Sequence, residues 1–240
     1  MKLTVIHETR YGYAHAVEQA HHIAHMRPLS SASQELLAHK LTIKPEPASL
    51  NHSIDSYGQQ RVYFELAVPH SELVVIAESE VITHALSIEL TGKLDRVTMP
   101  GSLPWDAVAE HMQYRAEQEF DAAREFAQVS PLAPIHPTFA KYASAVSSKS
   151  LPVYELAKAL CQRIHTEFKY SPEATDASTS PLEAFKLKKG VCQDFAQVMI
   201  AGLRSIGLAA RYVSGYLLTQ PLPGRPRLIG ADASHAWVSV

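Results

Sequence analysis

Two side chains able to do covalent chemistry stand near the C-terminal end of the sequence: Cys192, in KKGVCQDFAQ, and His235, in GADASHAWVSV. A thiolate attacks a carbonyl carbon, and an imidazole takes the thiol proton and later returns it to the leaving group. Such partners are commonly far apart in sequence and adjacent in space. From Cys192 onward, Phe195, Ala196, Met199, Leu203 and Ile206 recur at helical spacing until Gly207 ends the pattern, which predicts a helix with Cys192 in its first turn. Unpaired amide donors and the positive end of the helix dipole favour a thiolate at that position. Gly190 lets the chain turn sharply just before it. Lys186, Lys188 and Lys189 add positive charge nearby, but solvated lysines contribute little and receive no catalytic role. A core cysteine filling a gap at a helix start accounts for this pattern equally well. With 13 histidines in the chain, a Cys and a His alone carry little weight, so the residues around them must decide.

The elements that would hold these groups lie in the second half of the chain. A β run over 209–218 precedes the β run containing His235, and TQPLPGRPR between them reads as an exposed hairpin loop at the edge of a candidate cleft. Apolar residues at helical spacing over 153–168, with Pro152 in the first turn, predict a core helix. Cys161 falls on that stripe and reads as a small buried hydrophobe. A polar helix is expected over 105–128 and a short one over 139–146. Before residue 95 the texture differs: alternating runs over 2–13, 22–27, 36–44, 61–68 and 73–85, separated by turn residues, predict an antiparallel β-sandwich. The expected domains are therefore 1–95 and 96–240, in an α+β chain.

Composition narrows the class. A chain of 240 residues with 46% hydrophobic content can bury a substantial core. A formal charge of −2 and the lack of a long Lys/Arg run argue against nucleic acid as a partner. The opening residues alternate apolar and polar, unlike a signal peptide, and no run reaches the ~18 apolar residues of a membrane span, so the expected location is cytoplasmic with no membrane partner. Cys161 and Cys192 are expected to be free thiols. His15, His21, His22 and His25 invite a metal reading, because His21 and His25 are four apart. His22 stands where a metalloprotease helix needs its glutamate, and the flanks read as a strand, so no metal site is assigned.

Four segments, FKYSP at 168–172, GVCQDFA at 190–196, RYVSGY at 211–216 and DASHAWV at 232–238, closely resemble the bacterial transglutaminase-like superfamily. More loosely, Arg27-Pro28, Gln34, PEP at 45–47 and DSYG at 55–58 resemble the N-terminal region often joined to such cores, with Gln59 where that region usually has Asn. The resemblance implies a papain-like α+β core in which a helix presents Cys192 as nucleophile against a sheet presenting His235 as general base and acid, with a thioester intermediate. Two rigid elements hold sulfur and imidazole in register better than two loops would. The backbone N–H of Cys192 is the expected oxyanion donor. No cofactor is called for, and no calcium site is evident.

The family's orienting Asp lies on the strand after the His, and the sequence reaches Val240 before any such strand. The chain is therefore expected to be a fragment whose third triad member lies in a missing C-terminal part. Asp232, three residues from His235, would point to the opposite face of an extended strand. Asp194, about 200° around the helix from Cys192, is expected to cap the first turn or brace the neighbouring loop. Trp237 shares the face of His235, and Tyr170, Tyr212 and Tyr216 are read as core or cleft lining. The implied activity is cysteine-dependent acyl transfer on an amide of a protein or peptide, most simply as a protease or amidase. Transamidation of a glutamine side chain is the alternative within the class, and a noncatalytic scaffold or peptide-binding module is the alternative outside it.

Overall fold

A computed structural model describes residues 1–84, 102–117, 119–176, 178–218 and 234–240. Contacts divide the chain into two units, Met1–Leu90 and Thr91–Val240. The structure is mixed α+β, with antiparallel sheets in both units and helices packed on a sheet in the second.

In the first unit, β1 (Lys2–Val17), β6 (His70–Thr83) and β3 (Gln34–Lys44) form one antiparallel sheet, in the order β1-β6-β3. A second antiparallel sheet runs β2 (Ala20–Ala24), β5 (Gln60–Leu66), β4 (Ser49–Ile54). Period-two alternation turns one face of each sheet inward, and Ile43, Phe64, Leu66, Leu73 and Val75 meet in a common core. This is the expected sandwich. Strand β4 is an addition to the sequence reading. Its residues SLNHSI are mostly polar and largely exposed at the sheet edge, so neither propensity nor burial marked it. The histidine cluster lies on a strand: His21 pairs across from Glu65 and His22 from Phe64. The Tyr63 hydroxyl is 2.7 Å from His21 Nδ1, and His22 stacks on Phe64.

The second unit is built around α5 (Cys192–Ser205), which contacts α2 (Pro137–Ser144), α3 (Val153–Glu167), α4 (Pro181–Leu187), β9 (Arg211–Gly215) and β10 (His235–Ser239). Phe139 of α2, Leu156 and Leu160 of α3, and Val198, Ile200 and Leu203 of α5 are buried together. Two expectations are corrected here. The helix expected over 105–128 ends early: α1 covers Trp105–Met112, and after a break a 3₁₀ turn covers Ala122–Ala127. Beyond Met112 the sequence is polar on all sides, and Tyr114 and Phe120 are exposed, so local propensity has no packed face to sustain it. Asp121 instead caps the 3₁₀ turn by accepting from Ala123 N–H at 2.9 Å.

The second correction is Cys161, which is exposed rather than buried. The buried side of α3 is set by Leu156, Leu160 and Ile164. One residue past Leu160, Cys161 is rotated about 100° away from the centre of that stripe. Both cysteines are free thiols. No helix among the described residues is long and apolar enough to cross a membrane.

Candidate active site

The approach to Cys192 is fixed by backbone pairing. The two-residue strands β7 (Lys169–Tyr170) and β8 (Lys189–Gly190) run parallel, and Ser171 N–H donates to the Gly190 carbonyl at 2.8 Å. Gly190 has φ +153°, and a Cβ there would collide with the Asp194 carboxylate, so both backbone angle and space call for glycine. Val191 then caps α5, and Cys192 is its first residue, half-buried. The amides of a first helical turn have no carbonyl within the helix to bond, so this end of α5 presents donors.

Asp194 is buried, and its Oδ2 accepts both the Val191 N–H at 2.8 Å and the Thr175 hydroxyl at 2.7 Å. It therefore caps the first turn and also braces the loop after β7, the two roles expected of it. Thr175 was not marked by the sequence, since it lies in a loop of turn-forming residues 19 positions away. Lys188, with φ +52° after α4, does not face the thiol as a free charge. Its ammonium bonds Glu167 at 3.1 Å and sits 3.7 Å from the Phe185 ring centroid and 4.3 Å from that of Phe168.

His235 opens β10, which pairs antiparallel with β9 in the register His235↔Gly215, Trp237↔Val213 and Val238↔Tyr212. Alternation groups His235 and Trp237 with Val213 and Gly215 on one face, and Tyr212, Ser214, Ala236 and Val238 on the other. Gly215 leaves room for the indole of Trp237: a Cβ built there would lie 2.7 Å from Cη2. Tyr212 and Val238 pack against the helical core. Burial, and after it the charge of Cys192, pushes the Tyr212 phenol above its ordinary pKa.

The structure thus packs α5, which starts at Cys192, against β10, which starts at His235. It does not join thiol to imidazole by a hydrogen bond: His235 Nε2 is buried with no hydrogen-bond partner among the described residues. Among the described residues no carboxylate bonds His235, and Asp232 and the 219–227 loop lie outside them. Along the face of α5 that carries Gln193, Gln197 and Ile200 runs a cleft of about 480 Å³, walled also by the turn at 130–133 and by Tyr212, with Cys192 outside its lining. Arg204 ties that turn to the helix, donating to Gln128 O at 2.8 Å and to Ser130 Oγ at 3.1 Å. Sequence reading missed this wall, because its contacts join segments about seventy residues apart. Among the described residues no group of three or more His, Cys, Asp or Glu could hold a metal ion.

Comparison with known proteins gives the family and the fold. Residues 3–82 match the bacterial transglutaminase-like N-terminal region, and residues 140–240 match the transglutaminase-like superfamily. Uncharacterized proteins of Mycobacterium tuberculosis and Mycobacterium bovis are 37% identical over 238 residues, which is 98% of this chain and 72% of each relative. One from Mycobacterium leprae is 28% identical over 240 residues, 99% of this chain and 78% of its own. A crystal structure of a proposed cysteine protease from Cytophaga hutchinsonii superposes with a TM-score of 0.71 at 18% identity, covering 99% of this chain and 72% of that one, a likeness of fold.

Proposed function

This chain belongs to the transglutaminase-like superfamily, and from that premise we propose that it serves cysteine-dependent acyl transfer on amide bonds, acting as a protease or amidase. Cys192 is the nucleophile and His235 the base and acid. His235 takes the Cys192 proton, and the sulfur bonds to the amide carbonyl carbon. As the C–N bond breaks, the imidazolium returns the proton to the departing amine, leaving a thioester on Cys192. Water then attacks the thioester carbon, the carboxylic acid leaves, and the thiol is restored. The N–H groups at the start of α5 stabilise the oxyanion at both steps.

One observation carries the reading. A half-buried cysteine opens a core helix, and that helix packs on a strand opened by a histidine whose Nε2 is buried without a hydrogen-bond partner among the described residues. The missing thiol–imidazole hydrogen bond is the observation that favours the rival, a noncatalytic scaffold. Hydrolysis is preferred to transamidation on family likeness, and the two share every step up to the thioester.

Iodoacetamide labelling across pH, read by mass spectrometry, tests the reading. An activated Cys192 reacts well below pH 8 and faster than the exposed Cys161, which serves as an internal reference. Equal rates at the two cysteines, or no labelling of Cys192, support the scaffold. Adding a primary amine to a turnover assay separates the two chemistries, since only a transamidase diverts most product to the amide of the added amine.

A further inference from the structure

The β-sandwich has an interior of two kinds. Moving along β3, the inward side chains are Ile43, Leu41 and then His39, and their partners on β6 are Val75, Ala77 and Ser79. Along β5 they are Leu66, Phe64, Val62 and then Gln60, with Leu50 and His52 of β4 opposite Phe64 and Val62. One end is therefore packed with aliphatic and aromatic side chains. At the other, small residues and polar side chains replace them, and a cavity of about 240 Å³ opens there. Its apolar lining includes Met26, Leu41 and Val62, and its polar lining is Arg27, His39, His52 and Gln60, with no carboxylate among the lining residues.

A sandwich can close such an end with three or four aliphatic side chains. His39 is half-buried against this unfilled volume, while His52 and Arg27 line it from exposed positions. A half-buried imidazole is costly unless something polar meets it. His39 Nδ1 is satisfied by the buried Ser79 hydroxyl at 2.9 Å, which fixes the ring so that its other nitrogen remains for a ligand. Burial, then the charges of Arg27 and His52, hold the His39 pKa below its ordinary value. The site's own groups leave that positive potential unbalanced.

We propose that this cavity is a binding site for a small amphiphilic carboxylate, whose anionic head meets Arg27, His39 and His52 and whose short aliphatic tail lies against Met26, Leu41 and Val62. At ~30 Å³ per water-sized group the volume holds about eight such groups, the size of a medium-chain carboxylic acid. The proposal stands on the first unit alone and is independent of the acyl-transfer reading.

Calorimetric titration of the 240-residue protein with sodium octanoate, 1-octanol and inorganic phosphate tests it. The expected result is one octanoate per chain, weaker binding of both octanol and phosphate, and a loss of about tenfold on Arg27→Gln, the worth of a charge-assisted hydrogen bond. Cys192→Ala leaves octanoate binding unchanged. Arg27 is exposed, so its replacement does not threaten folding. Octanol binding as tightly as octanoate, phosphate binding more tightly, loss of octanoate binding in Cys192→Ala, or no octanoate binding at all overturns the proposal.

Discussion

The Asp194 carboxylate folds back onto the strand that delivers Cys192, accepting the Val191 N–H at 2.8 Å in the space that a side chain at Gly190 would need. One buried group thus sets the helix start, the loop carrying Thr175 and the angle at which the thiol emerges. Removing it leaves the Val191 amide and the Thr175 hydroxyl without their acceptor. Asp194→Ala is expected to cost about 1–3 kcal/mol, seen as a lower midpoint in urea at unchanged slope. Gly190→Ala should do similar damage by displacing the same carboxylate. A wild-type midpoint in either variant would contradict this account of the turn.

Much of this arrangement was legible in advance, and the exceptions have physical causes. Helix α5 was readable because Cys192, Phe195, Ala196, Met199, Leu203 and Ile206 recur at helical spacing and a glycine follows its end. The structure also buries Val198, Ile200 and Ala201, because the helix is covered on more than one side. The capping role of Asp194 was also readable, since an acid at the third helical position reaches back by geometry alone. The edge strand β4 was not, because a strand that buries little on either face has no reason to alternate. The polar helix expected past Met112 failed because helical propensity without a packed face does not fix a structure. Cys161 was misjudged by a single residue's rotation on a stripe correctly identified. The cleft wall at 130–133 depends on Arg204 reaching across the fold, which no local pattern records.

Lys188 offers a test of what surrounds the nucleophile electrostatically. Its ammonium is held over the Phe185, Phe168 and Tyr142 rings and paired with Glu167, so its charge is spent on packing. Lys188→Met should lower stability by about 1–2 kcal/mol through lost cation–π contact. The iodoacetamide rate of Cys192 should stay within about twofold, far less than the tenfold that 1.4 kcal/mol of activation would produce. A large drop in that rate would mean that Lys188 supports the thiolate after all.

Gly215 and Trp237 make a prediction about the face that carries His235. With the indole lying over the glycine, Gly215→Val must push Trp237 aside at a cost of about 1–3 kcal/mol. The chain has two tryptophans, so the change is best read in a Trp105→Phe background, where emission reports Trp237 alone. The expected outcome is an altered emission maximum together with lower thermal stability. An unchanged spectrum would mean that the indole does not rest on this strand.

The sandwich should weaken in mild acid. Burial lowers the pKa of His22, with the charges of His70 and His21 acting the same way, and burial also lowers that of His7. A histidine with a depressed folded pKa binds fewer protons in the folded state than in the unfolded chain. Stability is therefore full above the unfolded value of ~6.5 and falls as pH drops from there through the folded pKa. Melting temperatures taken between pH 7.5 and 5 should decline over that window. His22→Phe, which keeps the stack on Phe64 and removes the titration, should reduce the decline.

His235 is where the catalytic and scaffold readings part. Its Nε2 is buried and has no hydrogen-bond partner among the described residues, a costly condition for an imidazole that serves only packing. If the nitrogen is kept for the Cys192 proton, His235→Ala should move the onset of Cys192 alkylation toward the pH of an ordinary thiol. It should also cut amide turnover by about 10²- to 10⁴-fold, the usual worth of a general acid–base group. His235→Phe, which fills the space without a basic nitrogen, should preserve the melting temperature and lose the activity equally. An alkylation profile that does not respond to either substitution would remove His235 from the mechanism and leave Cys192 as a half-buried core residue at the start of a helix.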